Sequence, residues 1–116
     1  MRFSPRDDIG DVPLGHDGPK SSTLVWEVNG AKKLELEIVV KPGPGTYSAC
    51  PAGDLNSVRA AGFTPGQRVP LSVPSGSFPF TIEGNGYYEF IIHVVKADNS
   101  TTFIPRAVIV GCYKQS

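Results

Sequence analysis

Long apolar runs are missing from this chain. Nowhere do the roughly 20 consecutive apolar residues of a membrane-crossing helix occur. The N-terminus, Met-Arg-Phe-Ser-Pro, has acids and prolines where a secretory leader needs an apolar stretch of about 7–15 residues, so synthesis and folding in the cytoplasm are expected. An excess of one charge is missing too: eleven basic residues balance eleven acidic ones. Nucleic-acid binding needs Lys and Arg to replace phosphate counterions, and the isolated pair Lys32–Lys33 is no basic stripe, so a nucleic-acid partner is excluded. Histidine is scarce. His16 and His93 are the two imidazoles available for acid–base work near neutral pH. Cysteine is scarcer than any disulfide scaffold requires: Cys50 and Cys112 match no zinc spacing and form one disulfide at most. Under cytosolic reductants they are expected as thiols, two small residues of the core.

What the chain does contain is turn residues and β-type apolar runs. Thirteen glycines and eleven prolines accompany a hydrophobic content of 40%, the balance of a turn-rich globular domain rather than a disordered chain. The first twenty residues differ from the rest. They hold Pro5, Pro13 and Pro19, three glycines, seven charges and no apolar run, and read as an extended arm, with residues 21–116 as one β domain. Its removal is expected to spare the stability of that domain.

From Ser22 the chain alternates between strand and turn. Residues 22–28 end at Asn29-Gly30, the dipeptide of a tight hairpin. Residues 33–40 alternate cleanly, with Leu34, Leu36, Ile38 and Val40 on one face and Lys33, Glu35 and Glu37 on the other. Pro42 and Pro44 end that strand, and residues 46–50 suit a short one. Asp54 is placed to cap one or two helical turns over 55–61, closed by Gly62. Pro70 confines residues 68–73 to a sheet edge. Residues 78–83, Gly84-Asn85-Gly86 and residues 87–95 form a second hairpin pattern, whose last strand is apolar on both faces and therefore central. Pro105 breaks the run that follows, and residues 107–113 close the fold. Seven to eight strands at this spacing predict an all-β, antiparallel β-sandwich of jelly-roll or Greek-key type with one short helix. Leu34, Leu36, Ile38, Phe90, Ile92, Val108 and Val110 are its expected core.

Chemistry is harder to find. His93 with Cys50 would make a nucleophilic pair if the fold joined them, but a mid-strand histidine is ordinarily a packed sheet residue. Asp7, Asp8, Asp11, His16 and Asp17 lack the spacing of a calcium loop, and no glycine-rich loop here runs into Lys-Ser/Thr and a helix as phosphate binding requires. No catalytic residue, metal site or cofactor is therefore assigned. Trp26, Tyr47, Tyr87 and Tyr88 are candidates for a sugar-stacking platform, and of the adjacent Tyr87 and Tyr88 one ring is expected at a surface.

A compact neutral sandwich with such an arm, Arg2 to Lys20, and with hairpins around Asn29-Gly30 and Gly84-Asn85-Gly86, resembles the small decoration or cement proteins on the heads of tailed bacteriophages. The resemblance implies a non-enzymatic virion protein that forms homo-oligomers and reinforces contacts between major capsid protein subunits. On that reading Phe3, Ile9, Val12 and Leu14 of the arm and Tyr87 or Tyr88 of the sheet are the partner-binding residues. A head–tail connector or tail component fits the same features, and a carbohydrate-binding or adhesion module is the alternative from another class.

Overall fold

The computed structural model describes residues 3–5, 12–14, 20–43 and 50–111. Nine strands occur among them: β1 (Phe3–Pro5), β2 (Val12–Leu14), β3 (Lys20–Val28), β4 (Ala31–Val40), β5 (Val58–Arg59), β6 (Val69–Leu71), β7 (Ser75–Ile82), β8 (Gly86–Lys96) and β9 (Thr101–Val110). They form a four-stranded sheet of order β1-β3-β7-β5 and a five-stranded sheet of order β2-β9-β8-β4-β6. Every ladder is antiparallel except β2 on β9. The protein is an all-β sandwich, and β8 is the middle strand of the larger sheet, as its two apolar faces require.

Period-2 alternation decides which side chains the two sheets bury between them. Leu24, Trp26, Val28, Phe78, Phe80 and Ile82 come from the smaller sheet. Leu34, Leu36, Ile38, Tyr88, Phe90, Ile92, Val94, Val108 and Val110 come from the larger, and all fifteen belong to one core cluster. Phe80 and Phe90 meet across the sheets, ring centroids 4.7 Å apart and tilted by 50°. Each of the seven expected core residues is in this cluster.

The turns behave differently from the hairpin expectation. The chain changes sheet at every connection except the last, so only β8 and β9 are both consecutive and paired among the described strands. Asn29-Gly30 does not close a hairpin. It carries the chain from β3 in one sheet to β4 in the other, with Gly30 at φ 82°. Gly84–Gly86 makes the same crossing between β7 and β8. A short turn fixes only that two strands are close and reversed, and packing of two apolar faces meets that condition as well as a ladder does.

Three other expectations need correction. The helix is a single 3-10 turn, Leu55–Ser57, capped as expected by the Asp54 carboxylate, which accepts from the Asn56 N–H at 2.9 Å. The chain then extends at once into β5, and Gly62, at φ 80°, closes a turn rather than a helix. Pro105 does not interrupt β9. The edge strand β2 pairs with β9 only at Val108–Val110, so among the described residues the missing N–H at Pro105 costs no ladder bond on that side. Pro70 does sit in an edge strand, β6, opposite Glu35.

The stretch read as an arm is tied to the sandwich at two places. Residues 3–5 pair with Val28–Trp26 as the edge of the smaller sheet, and residues 12–14 pair with Val108–Val110 as the edge of the larger. At these six residues the backbone is extended, and their ladder bonds to both sheets are not legible in the composition.

Candidate interaction surface

The outward positions of the larger sheet fall into rows set by strand register, and three consecutive rows lie beyond the Val39–Glu89–Ala107 row. Lys33, Val95 and Thr101 form one row, Glu35, His93 and Phe103 the next, and Glu37, Ile91 and Pro105 the third. Phe103 is 61% exposed, and with Val73 it is one of two large hydrophobics left at the surface among the described residues. Its inward neighbour Ile104 is buried, so strand alternation forces the phenyl ring into solvent. Ile91 and Val95 beside it are half-buried, and Pro105 is exposed. A groove of about 500 Å³ runs along this face, lined by Glu35, Arg68, His93, Val95, Thr101 and Phe103.

Charges frame the apolar strip in pairs. Glu35 lies 3.6 Å from Lys33 Nζ and 3.5 Å from Arg68 Nη1. His93 Nε2 lies 2.8 Å from Glu37 Oε1. Lys41 Nζ lies 2.8 Å from Glu89, and the hydrogen bond to that carboxylate, followed by its charge, raises the Lys41 pKa above the ordinary lysine value. The opposite face of the molecule is quite different. Ser21, Thr23, Ser75, Ser77 and Thr81 project from β3 and β7, with Ser21 Oγ and Thr81 Oγ1 2.7 Å apart.

At the far end of β8 the same outward face is covered by the chain itself. Tyr87 N–H donates to the Pro51 carbonyl at 2.9 Å, Gly53 N–H donates to the Tyr87 carbonyl at 3.2 Å, and Ala52 bridges to Tyr87 in parallel. Cys50, Tyr87, Ala107 and Ile109 form a second small core under this segment. Tyr87 and Tyr88 do point to opposite faces, yet neither reaches the surface. The Tyr88 ring is fully buried in the main core, and its hydroxyl accepts from the Asp54 N–H at 3.1 Å and donates to the Gly84 carbonyl at 2.7 Å. Gly53 allows this approach, since a Cβ there would stand 2.3 Å from the Tyr88 ring. A strand pattern assigns faces but not what lies over them, which is why the expectation of one exposed tyrosine fails.

The remaining candidates separate. Trp26 is buried and donates its indole N–H to the Ser72 carbonyl at 2.9 Å, so no row of exposed aromatic rings includes Trp26, Tyr87 or Tyr88. Cys50 is disulfide-bonded and not the expected thiol, which removes the nucleophile from the Cys50–His93 pair. Of the proposed arm contacts, the backbones of Phe3, Val12 and Leu14 lie in β1 and β2, and Ile9 lies outside the described residues, as do Tyr47, Cys112 and the acids and histidine of residues 7–17. Among the described residues no three His, Cys, Asp or Glu side chains gather as metal ligands, and no helix is long and apolar enough to cross a membrane.

Phe103 was missed in the sequence. The signal was available in Thr101-Thr-Phe-Ile, where alternation about an inward Ile104 leaves an aromatic ring facing out.

No protein-family model matches this chain, and no curated protein matches it. Among solved structures it is similar to murine CRIg, with a TM-score of 0.56 over 95% of this chain and 97% of that one at 9% sequence identity. At that identity the likeness concerns fold alone, an immunoglobulin-like β-sandwich. The orders β1-β3-β7-β5 and β9-β8-β4 correspond to the ABED and GFC sheets of that architecture, while β6 occupies the position beside β4 only after the chain has visited the other sheet at β5.

Proposed function

We propose that this protein is a non-enzymatic interaction module that binds a protein partner through the outward face of its five-stranded sheet. The observation that carries the reading is Phe103, an aromatic ring 61% exposed within an apolar strip of Ile91, Val95 and Pro105 and framed by charged residues. Protein interfaces have this composition, an aromatic and aliphatic centre with a polar rim. A sugar platform draws less support, because Trp26, Tyr87 and Tyr88 are buried.

The disulfide at Cys50 adds a location to this proposal. Disulfides persist where the surroundings oxidise, in secreted and periplasmic proteins and on virion or cell surfaces. A decoration-type subunit on a capsid lattice is one setting that combines a protein partner with such surroundings.

A photoreactive phenylalanine analogue at position 103, with a control at Thr81 on the opposite sheet, tests the reading in the native source. Irradiation is expected to yield a protein adduct from position 103 and none from 81. Adducts from 81 alone, or none from either position, would overturn it.

A further inference from the structure

We infer that the occupant of this face is a second copy of the same chain, related by a two-fold axis that crosses the strands through the Glu35–His93–Phe103 row. The inference rests on the interaction face proposed above and goes further by naming the partner and the register.

The argument comes from the order of the three rows. In a two-fold interface the same patch meets itself, so each row must be complementary to the row that the symmetry sets opposite. An axis through the middle row places Lys33, Val95 and Thr101 against Glu37, Ile91 and Pro105 of the second copy, and the converse by symmetry. An ammonium meets a carboxylate, two aliphatic side chains meet, and Thr101 meets Pro105. Phe103 packs on its own counterpart at the centre, where stacked or tilted aromatic pairs are favoured. Glu35 and His93 also face their own counterparts, but each Glu35 is already flanked by Lys33 and Arg68 within 3.6 Å, which offsets the like-charge contact, and each His93 is held by its hydrogen bond with Glu37 at 2.8 Å. The other in-plane axis, along the strands, would set the charged positions of β4 over Phe103 and Pro105 of β9 and bury carboxylates against apolar groups.

Charge permits the encounter as well. These rows with Arg68 carry two cations and two carboxylates, and the whole chain has a formal net charge of zero, so no long-range repulsion separates two copies.

Sedimentation equilibrium of the full-length protein, oxidised and over a range of concentrations, provides the test. Wild type is expected to show a monomer–dimer equilibrium, and Phe103→Asp to weaken it by at least about 30-fold, as loss of a central aromatic anchor does. Lys33→Glu and Glu37→Lys are each expected to weaken dimerisation, and the double variant to recover to within about fivefold of wild type, because the pairs re-form with exchanged sign. All three substitutions are at solvent-facing positions, and thermal melting verifies that each of the four variants is folded. Three outcomes would overturn the inference: a wild type that stays monomeric to about millimolar concentration, a dimer indifferent to Phe103→Asp, or a double variant no better than its worse parent. A monomeric protein whose position 103 still crosslinks to a different protein would refute the second copy and leave the interaction face standing.

Discussion

The buried hydroxyl of Tyr88 offers a sharp test of how the loop over the sandwich is held. Replacing Tyr88 by Phe keeps the ring in the core and removes one oxygen. Lost with it are a bond donated to the Gly84 carbonyl at 2.7 Å, one accepted from the Asp54 N–H at 3.1 Å, and a 2.9 Å contact with the Ser57 hydroxyl, whose own proton goes to the Asp54 carbonyl. Each such bond is worth about 0.5–1.5 kcal/mol net, and a buried partner left unsatisfied adds a further penalty. Asp54 is exposed and Gly84 half-buried, so water recovers much of that penalty. The expected cost is about 2 kcal/mol, near the sum of the two bonds. In a domain of this size that corresponds to roughly 10 °C in melting temperature. Urea denaturation gives the free energy and differential scanning calorimetry the temperature. A loss below about 0.5 kcal/mol would mean that the hydroxyl pins nothing and that the turn at Asp54–Ser57 is held by its other contacts alone.

Leu36→Ala, at a fully buried position on β4, is expected to cost about 2–5 kcal/mol in denaturant melts, whereas Glu37→Ala next to it on the solvent face should stay near 0.5 kcal/mol; equal effects would show the facing to be reversed. Deleting residues 1–14 removes both edge strands, so the melting temperature should fall by more than about 5 °C, and a melt unchanged from full length would show those ladders to be energetically idle. Reduction, or Cys50→Ser, should lower stability by about 2–5 kcal/mol, and coincident melts with and without reductant would contradict a structural role for the disulfide.

Facing was legible in the sequence and partnership was not. The alternation of Leu34, Leu36 and Ile38 against Lys33, Glu35 and Glu37 is a property of one strand, readable from six residues, and the core follows it. Which strand lies beside which depends on residues far apart. Asn29-Gly30 has a composition suited to a hairpin and equally to a sheet crossing, so composition there could not distinguish the two. Tyr87 fails for the same reason, since the segment that buries it begins at Cys50, some forty residues earlier. The disulfide was illegible because a wide cysteine spacing carries no geometric information. Asp54 was readable because a cap and the turn it starts are neighbours in sequence.

The alternation of sheets along the chain bears on how the molecule reaches its structure. Among the described strands only β8 and β9, joined at residues 97–100, are consecutive and bonded to each other, and their turn is reinforced locally by the Lys96 N–H donating to the Ser100 carbonyl at 2.8 Å. Every other ladder waits for the closure of a longer loop: β4 must find β8, and β3 must find β7. Loop-closure entropy is lost before those contacts return anything, and proteins dominated by such pairings fold on the millisecond-to-second scale. The β8–β9 hairpin is the natural seed. Until the smaller sheet packs over it, Phe90 and Ile92 are uncovered, and oligomers that form during refolding would arise from that exposed seed rather than from the finished surface at Phe103.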